Sequence, residues 1–486
     1  MFRTSILSRR RGVVPRTSSK FAGLAGYALV TLLVLWCASQ ETVDDLRGYR
    51  VPDVPHDPNT LSSTDTPPLS SFTDHSERTI PTVAYAVSLI KCGDRHNNAD
   101  GLSDAAAVLR HSIHRHSVRD SASASRYDYK MYAIVHEQAT ECADPFHQLG
   151  FEVLVRAPPV QTHEIRNEYL RTHIHREVCC GADEFVKLYA YQITEHPVVV
   201  HVDIDFVLHR PLDDLFDVLI NNDSAAQARV DREFPDTPWP ARTDAFMTRD
   251  WSQVIPGRKP GYQAGFIAHK PDPVVFEELV HVIKTANYTE GFGRGNGWGG
   301  LGYGTFVGAM AMQGLLAYYY DIKHPDRWVE LNQCRHNHMG MDIRFRGPPG
   351  FRANHPNKGK CRNNRETCED CMYTDPDEIY SIHFSPCRKP WNCVGESARR
   401  GSGFLPEGVV DPPHCRQLLR IWHDLRTDLE QKLHTLTADE TIRRGQTGTF
   451  MPDTFMGHCN GHGPEHYLSL SGTPETLVQI PNLYQK

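Results

Sequence analysis

Asp203 and Asp205 stand one residue apart at the end of an apolar, β-branched run, VVVHVDIDFVLHRPLDDLFD (198–217). Alternate side chains of a strand point to the same face, so two carboxylates at i and i+2 aim at one point. Beyond the carboxyl ends of parallel strands lies the cleft where open α/β sheets hold ligands. Two hard oxygen donors converging there suit a divalent cation such as Mg²⁺ or Mn²⁺, and such cations commonly carry a diphosphate. The spacing alone is unspecific. A second Asp-x-Asp occurs at Asp375 and Asp377, and a strand end with solvated acids reads the same way. Asp213 and Asp214 follow Pro211 and fit the first turn of a helix, where acids are favoured, so they are set aside as structural.

Four other side chains could complete such a site. In EIYSIHFSPCRKPWNC (378–393), a short strand ends at His383, which can ligate a metal. Six residues on, Lys389 precedes Pro390, and a lysine in a rigid Lys-Pro turn suits a phosphate. Lys187 lies beside the apolar face of a helix over 182–194 (ADEFVKLYAYQIT), where a solvated lysine is the plainer reading. Gln313 interrupts the apolar face of a helix expected over 305–320, where a satisfied core amide is the plainer reading. Cys368-x-x-Cys371 has zinc spacing, but disulfides are the default reading and zinc the alternative. His458, Cys459, His462 and His466 read more simply as a histidine-bearing loop than as a metal cluster.

The elements that would position these groups alternate. Strands are expected at 83–90 (VAYAVSLI), 130–136 (KMYAIVH), 149–155, 198–205 and 262–271. A helix from an N-cap at Ser103 to Ser117 and another carrying Val275, Leu279, Val282 and Ile283 lie between them. Alternation of this kind implies a sheet with right-handed crossovers, an α/β fold. Residues 221–260 read as an irregular insertion near the site, and 291–304 (GFGRGNGWGGLGYG) as a loop that is neither a Walker nor a Rossmann motif. The segment 413–436 reads as an amphipathic helix.

The chain has 486 residues and a formal net charge of -7, and no long basic stripe suggests nucleic acid as a partner. Residues 1–20 are basic and 21–38 carry no charge, and at about 1.5 Å per residue this run just crosses a core of about 30 Å. Glu41, Asp44 and Asp45 follow, so the charge pattern puts the N-terminus in the cytosol. A membrane signal anchor over 21–39 is expected, with a cleaved signal peptide as the alternative. Pro, Ser, Thr and Asp dominate 40–80, which reads as a stem. The body follows over 81–400 and a C-terminal helical extension and tail over 401–486. Of thirteen cysteines, Cys37 lies in the membrane run and twelve remain for disulfides in an oxidising lumen. Asn222 and Asn287 fit the N-glycosylation pattern.

Taken together, VKLYAYQIT, VVVHVDID, PLDDLFD, Gln263-Ala264-Gly265, Met312-Gln313-Gly314-Leu315-Leu316 and His383-Phe384-Ser385-Pro386-Cys387-Arg388-Lys389-Pro390-Trp391 resemble the motif series of the glycogenin-like family 8 glycosyltransferases over about 83–393. The resemblance implies the GT-A fold, a Rossmann-like parallel or mixed sheet flanked by helices. It implies a retaining transfer from a UDP-sugar, with Asp203, Asp205 and His383 on Mn²⁺ (Mg²⁺ as the alternative). It places Lys187, Gln263 and Lys389 at the donor and Gln313 near the anomeric carbon. Golgi transferases share the anchor and stem, so a Golgi or endoplasmic reticulum address and a glycan, glycoprotein or glycolipid acceptor follow from the resemblance. The chain departs from the family at Gln263 (for Asn), Met312 (for an acid) and Pro386 (for Gly). Two other classes remain open. One is a non-catalytic nucleotide-sugar binder, motivated by Met312 and Pro386. The other is a haloacid-dehalogenase-like phosphatase, whose first motif DIDFV also fits.

Overall fold

The computed structural model describes residues 81–92, 99–177, 180–258, 260–347, 354–392, 413–433, 467, 469–470 and 476–484, all within one compact unit, Glu77–Lys486. The expected cytosolic tail, anchor and stem lie outside these residues, as do Cys393 and the His458–His466 group. Among the described residues no helix is long and apolar enough to cross a membrane.

Among the described residues eleven strands form three sheets: β1 (Thr82–Leu89), β2 (Asp128–His136), β3 (Glu152–Arg156), β4 (Val199–Val202), β5 (Phe206–Leu208), β6 (Ala245–Arg249), β7 (Tyr262–His269), β8 (Asn296–Gly297), β9 (Leu301–Tyr303), β10 (Trp328–Glu330) and β11 (Ser381–His383). The main sheet runs β10-β6-β7-β4-β1-β2-β3. Only β7 is antiparallel to its neighbours, so β4, β6 and β10 end on the same side. This is a mixed, mostly parallel sheet flanked by helices, the α/β architecture expected.

The sheet is buried on both faces, and the strand period sorts its residues. Val83, Tyr85, Val87 and Leu89 join one core with Val200 and Val202. Helices Ala99–Ser117, Asp213–Asn221 and Pro413–Lys432 contribute to it Leu109, Leu215 and Leu418. Ala84, Ala86 and Val199 face the other way, against Val186 and Ala190. On that side a larger core joins Leu188, Leu279 and Leu315, from Gly181–Gln192, Pro273–Thr285 and Met312–Tyr318.

Several expectations are corrected. The first helix starts at Ala99, not after Ser103, which is buried within it. Pro211 precedes the helix Asp213–Asn221 instead of opening it; Asp213 and Asp214 do occupy its first turn. Asp213 also accepts from Ser125 Oγ (2.8 Å) and Arg126 N (2.7 Å). The expected irregular insertion contains β6, which lies inside the main sheet. The stretch over 182–194 is a 3-10 helix, Gly181–Gln192. The helix carrying Gln313 begins at Met312, not 305, because the residues before it fold into tight turns, with Ala309 N donating to Phe306 O and Ala311 N to Gly308 O.

Disulfides join Cys92–Cys142, Cys334–Cys371, Cys361–Cys368 and Cys387–Cys415. Cys368 and Cys371 therefore bond to different partners, which overturns zinc at that pair. Asn222 and Asn287 are both exposed.

Candidate active site

β4 ends at Val202, and the chain turns through Asp203, Ile204 and Asp205 before β5. The two carboxylates therefore meet through this turn, and the i, i+2 alternation of a strand is not what joins them. Asp203 N donates to Gly265 O (3.1 Å), holding the turn to β7. β5 pairs antiparallel with β11, with Phe206 opposite His383, and Phe384 N donates to Asp205 O (2.9 Å). That small sheet carries His383 to the aspartates from about 180 positions along the chain.

One ligand atom from each of Asp203, Asp205 and His383 lies within 4.8 Å of the other two. His383 Nε2 is 3.4 Å from Asp205 Oδ1 and 3.8 Å from Asp203 Oδ2. The imidazole is oriented from behind. Its Nδ1 lies 3.1 Å from Asn337 Oδ1, and Asn337 Nδ2 donates to Thr248 Oγ1 (2.9 Å) on β6. In this arrangement the Asn337 oxygen faces the ring; a neutral imidazole pairing with it through Nδ1–H would leave its Nε2 lone pair towards the two carboxylates. Three such groups, one ligand atom from each, could hold a divalent cation among them. Two carboxylates and an imidazole fit manganese, with magnesium as the harder alternative.

Two lysines flank the pair. Lys187 is buried; its Nζ contacts Asp203 Oδ1 (2.8 Å) and Glu184 Oε1 (3.2 Å). It is thus not a solvated helix lysine. Lys389 Nζ bonds Asp205 Oδ2 and donates to Phe384 O (2.8 Å). Burial pushes both carboxyls up, but the cations beside them win. Lys187 holds Asp203 below the usual carboxylate range, and Lys389 holds Asp205 well below it. Burial would lower Lys187, yet Asp203 and Glu184 raise it above its ordinary value.

Gly265 is required by close approach: a Cβ there would overlap His383 Cε1 and lie 2.8 Å from Asp203 Oδ2. Gln263 Oε1 accepts from Gly265 N (2.8 Å) and its Nε2 lies 3.6 Å from Met339 Sδ, so its amide braces β7 beneath the imidazole. Gln313 Nε2 donates to Val307 O (2.7 Å). Gln313 connects to the aspartates indirectly: Met312 N donates to Glu184 Oε2 (3.3 Å), and Glu184 holds Lys187. The Met312 side chain is buried in the apolar core. Asp375 is remote in role, capping its own turn with Oδ1 on Asp377 N (3.0 Å).

Sequence reasoning missed Asn337, Thr248 and Glu184. Glu184 had a usable signal, since it precedes Lys187 by three residues and such pairs share a helix face. Asn337 had none: it sits in a loop, in the left-handed region (φ 51°), 46 positions before its partner.

No protein-family profile matches the chain, and no curated protein is detectably similar in sequence. Solved structures overlap it loosely. The bifunctional glycosyltransferase WbbM is 12% identical over 67% of this chain and 48% of its own, with a TM-score of 0.34. This chain thus spans about half the length of that protein. Mouse xyloside xylosyltransferase 1 is 13% identical over 64% of this chain and 99% of its own, at 0.35. The galactosyltransferase LgtC, solved with donor and acceptor sugar analogues, is 9% identical over 71% and 95%, at 0.32. Overlap this loose carries no chemistry from one chain to another.

Proposed function

We propose that this protein is a metal-dependent, retaining glycosyltransferase of the glycogenin-like family 8 kind, moving a sugar from a UDP-sugar to a glycan, glycoprotein or glycolipid. The observation that carries this reading is the convergence of Asp203, Asp205 and the bare Nε2 of His383 on one point, with Lys187 and Lys389 on either side. Asp203, Asp205 and His383 would hold Mn²⁺ (or Mg²⁺), which when bound neutralises charge on a diphosphate leaving group. Lys389, on the exposed side of Asp205, is the cation that meets the diphosphate; its side chain is 27% exposed against 7% for Lys187. Lys187 balances Asp203 and Glu184 from below, and Gln263 shapes the backbone under His383. Gln313 stands at the start of its helix as a positioning amide near the transferred sugar. Pro386 has no N–H to offer a phosphate, so Lys389 carries more of that contact than it would beside a glycine.

The expected anchor over 21–39 makes the protein a single-pass type II membrane protein of the Golgi or endoplasmic reticulum, with its body and acceptor in the lumen. Disulfides and two exposed glycosylation sequons suit that address.

The test is to incubate the full chain with a panel of UDP-sugars and manganese, following UDP release and the donor-induced thermal shift. Manganese-dependent release is expected for one donor. Full turnover in chelator, or in Asp205→Ala, would sink the metal assignment. A thermal shift with no release for any acceptor would make the chain a donor-binding relative and not an enzyme.

A further inference from the structure

A cleft of about 520 Å³ opens at the end of the sheet where the aspartates lie, two strands away from β4. It lies between the end of β6 and the edge strand β10 and has the size of a small-molecule site. Its walls combine two features. Phe234, Trp251 and Trp328 supply aromatic surface, on which the apolar faces of a sugar ring can stack. Arg232, Arg249, Arg258 and Arg362 supply guanidinium groups against one lining carboxylate, Glu330.

Arg249 is structural. It is fully buried, with Nη2 2.6 Å from Asp321 and Nε 2.9 Å from Glu330, which also accepts from Trp251 Nε1 (3.0 Å). Glu330 is thereby spent. The other three arginines form no ion pair among the described residues. Arg232 donates to the carbonyls of Thr237 and Pro235 (both 2.6 Å), and Arg258 lies over the Phe292 ring at 5.0 Å. Arg362 donates to the Asp342 carbonyl, and its Nε is buried with no hydrogen-bond partner.

The nearest acids are engaged elsewhere: Asp342 with Arg344 and Arg346, Asp250 with Ser252 and Gln253, and Asp236 with Arg365 at 3.9 Å. Burial, and then Glu330 beside it, push Glu233 up to about 8, so it adds little negative charge at neutral pH.

Two lining residues, Trp251 and Arg249, are linked through their neighbours to residues around the aspartate site. Trp251 shares a 3-10 turn with Gln253, whose Oε1 accepts from Val307 N (2.7 Å), and Val307 O accepts from Gln313. Thr248, which holds Asn337, is the residue before Arg249.

We propose that this cleft binds an acidic sugar, bearing a carboxylate or a sulfate ester, next to the residue that is modified on the acceptor glycan. The transferase reading enters only in calling that sugar part of an acceptor. Guanidinium groups suit both oxyanions because their forked donors match the oxygen spacing.

The test titrates the full chain at low salt with a uronate disaccharide, a sulfated disaccharide and the uncharged counterpart of each, read by tryptophan fluorescence and calorimetry. An acidic disaccharide is expected to bind at least about tenfold tighter than its neutral counterpart, with the gap closing at high salt. The two acidic probes separate carboxylate from sulfate as the group recognised. Arg362→Gln and Arg258→Gln are each expected to weaken acidic binding by about tenfold, with an unchanged thermal midpoint as the folding control. Equal affinity for charged and uncharged sugars overturns the proposal, as does unchanged affinity in both folded variants. A preference for a glutamate-rich peptide over all the sugars overturns it too. UDP–manganese binding, measured on the same samples, keeps the two readings apart. Its survival with no sugar binding removes the cleft proposal alone, and its loss with sugar binding intact removes the donor-site reading alone.

Discussion

Asn337 Oδ1 stands 3.1 Å from His383 Nδ1, and the Asn337 amide nitrogen donates to Thr248 Oγ1. The ring of His383 is thus held from behind by a residue that is paired with Thr248 and not with an aspartate. Partners behind a metal-ligating histidine typically matter by about 10–100-fold in metal affinity. Asn337→Ala is therefore expected to weaken manganese binding by that range, measured by calorimetry without any donor present. Unchanged affinity would show that the ring needs no support.

Gly265 leaves the space that the imidazole fills. Gly265→Ala places a methyl group against His383 Cε1 and 2.8 Å from Asp203 Oδ2. Overpacking of this kind costs about 1–3 kcal/mol, but the larger effect should be on function, since the ring and carboxylate must part. Manganese-dependent UDP release is expected to fall at least about tenfold, while the thermal midpoint drops by a few degrees. A variant with full activity would show that the ligands do not need the approach seen here.

Lys187 is enclosed between Glu184 and Asp203, and removing one partner of a buried ion cluster strands the others. Lys187→Met should cost about 3–5 kcal/mol in urea unfolding. Manganese should restore part of that loss, because it returns positive charge to Asp203. A variant within about 1 kcal/mol of the parent, with or without metal, would show that Lys187 does not balance these acids.

Acid should unfold the body earlier than its carboxylates alone would require. Burial holds His111, His116 and His269 down at about 4 and His336 at about 3. Their unfolded value is near 6.5, so between there and the folded values the unfolded chain binds more protons. Stability is then fully present above about pH 6.5 and is lost as pH falls through that window. Each ring adds up to about 1.4 kcal/mol per pH unit to the slope. Urea midpoints from pH 7 to pH 4 should fall steadily, and His336→Phe should flatten the curve. His336 suits the test because neither of its ring nitrogens has a partner and its ring stacks on Tyr380. A flat pH profile would overturn this account.

Much of the sheet was legible in the sequence because its strands are continuous apolar runs, as in VAYAVSLI and KMYAIVH. β6 and β10 were not: AFMTR and WVE are short, sit among prolines and charges, and gain their strand character only from the neighbours they pair with. The aspartates, His383, Lys187 and Lys389 could be named because each lies in a compact local pattern. What sequence could not give was their mutual support. Asn337 belongs to a loop with no periodicity, and the burial of Lys187 depends on Asp203 arriving from another element. Gln313 was placed in a helix that starts seven residues later than its apolar pattern suggests, because hydrophobic spacing also persists through the folded glycine-rich turns.

Asp104 is fully buried in the first helix, and its partners come from the far end of the chain: Arg426 Nη1 at 2.8 Å, Tyr467 Oη at 2.6 Å and Leu470 N at 3.0 Å. Biosynthesis therefore leaves this acid without its full set of partners until Leu470 has been made, 366 residues later. At ordinary elongation rates that is roughly 20–70 s. The nascent body must wait in an incomplete state until this segment has been made, so its packing around Asp104 is completed late. Chains stalled before Arg426 should be cut by protease where released chains resist.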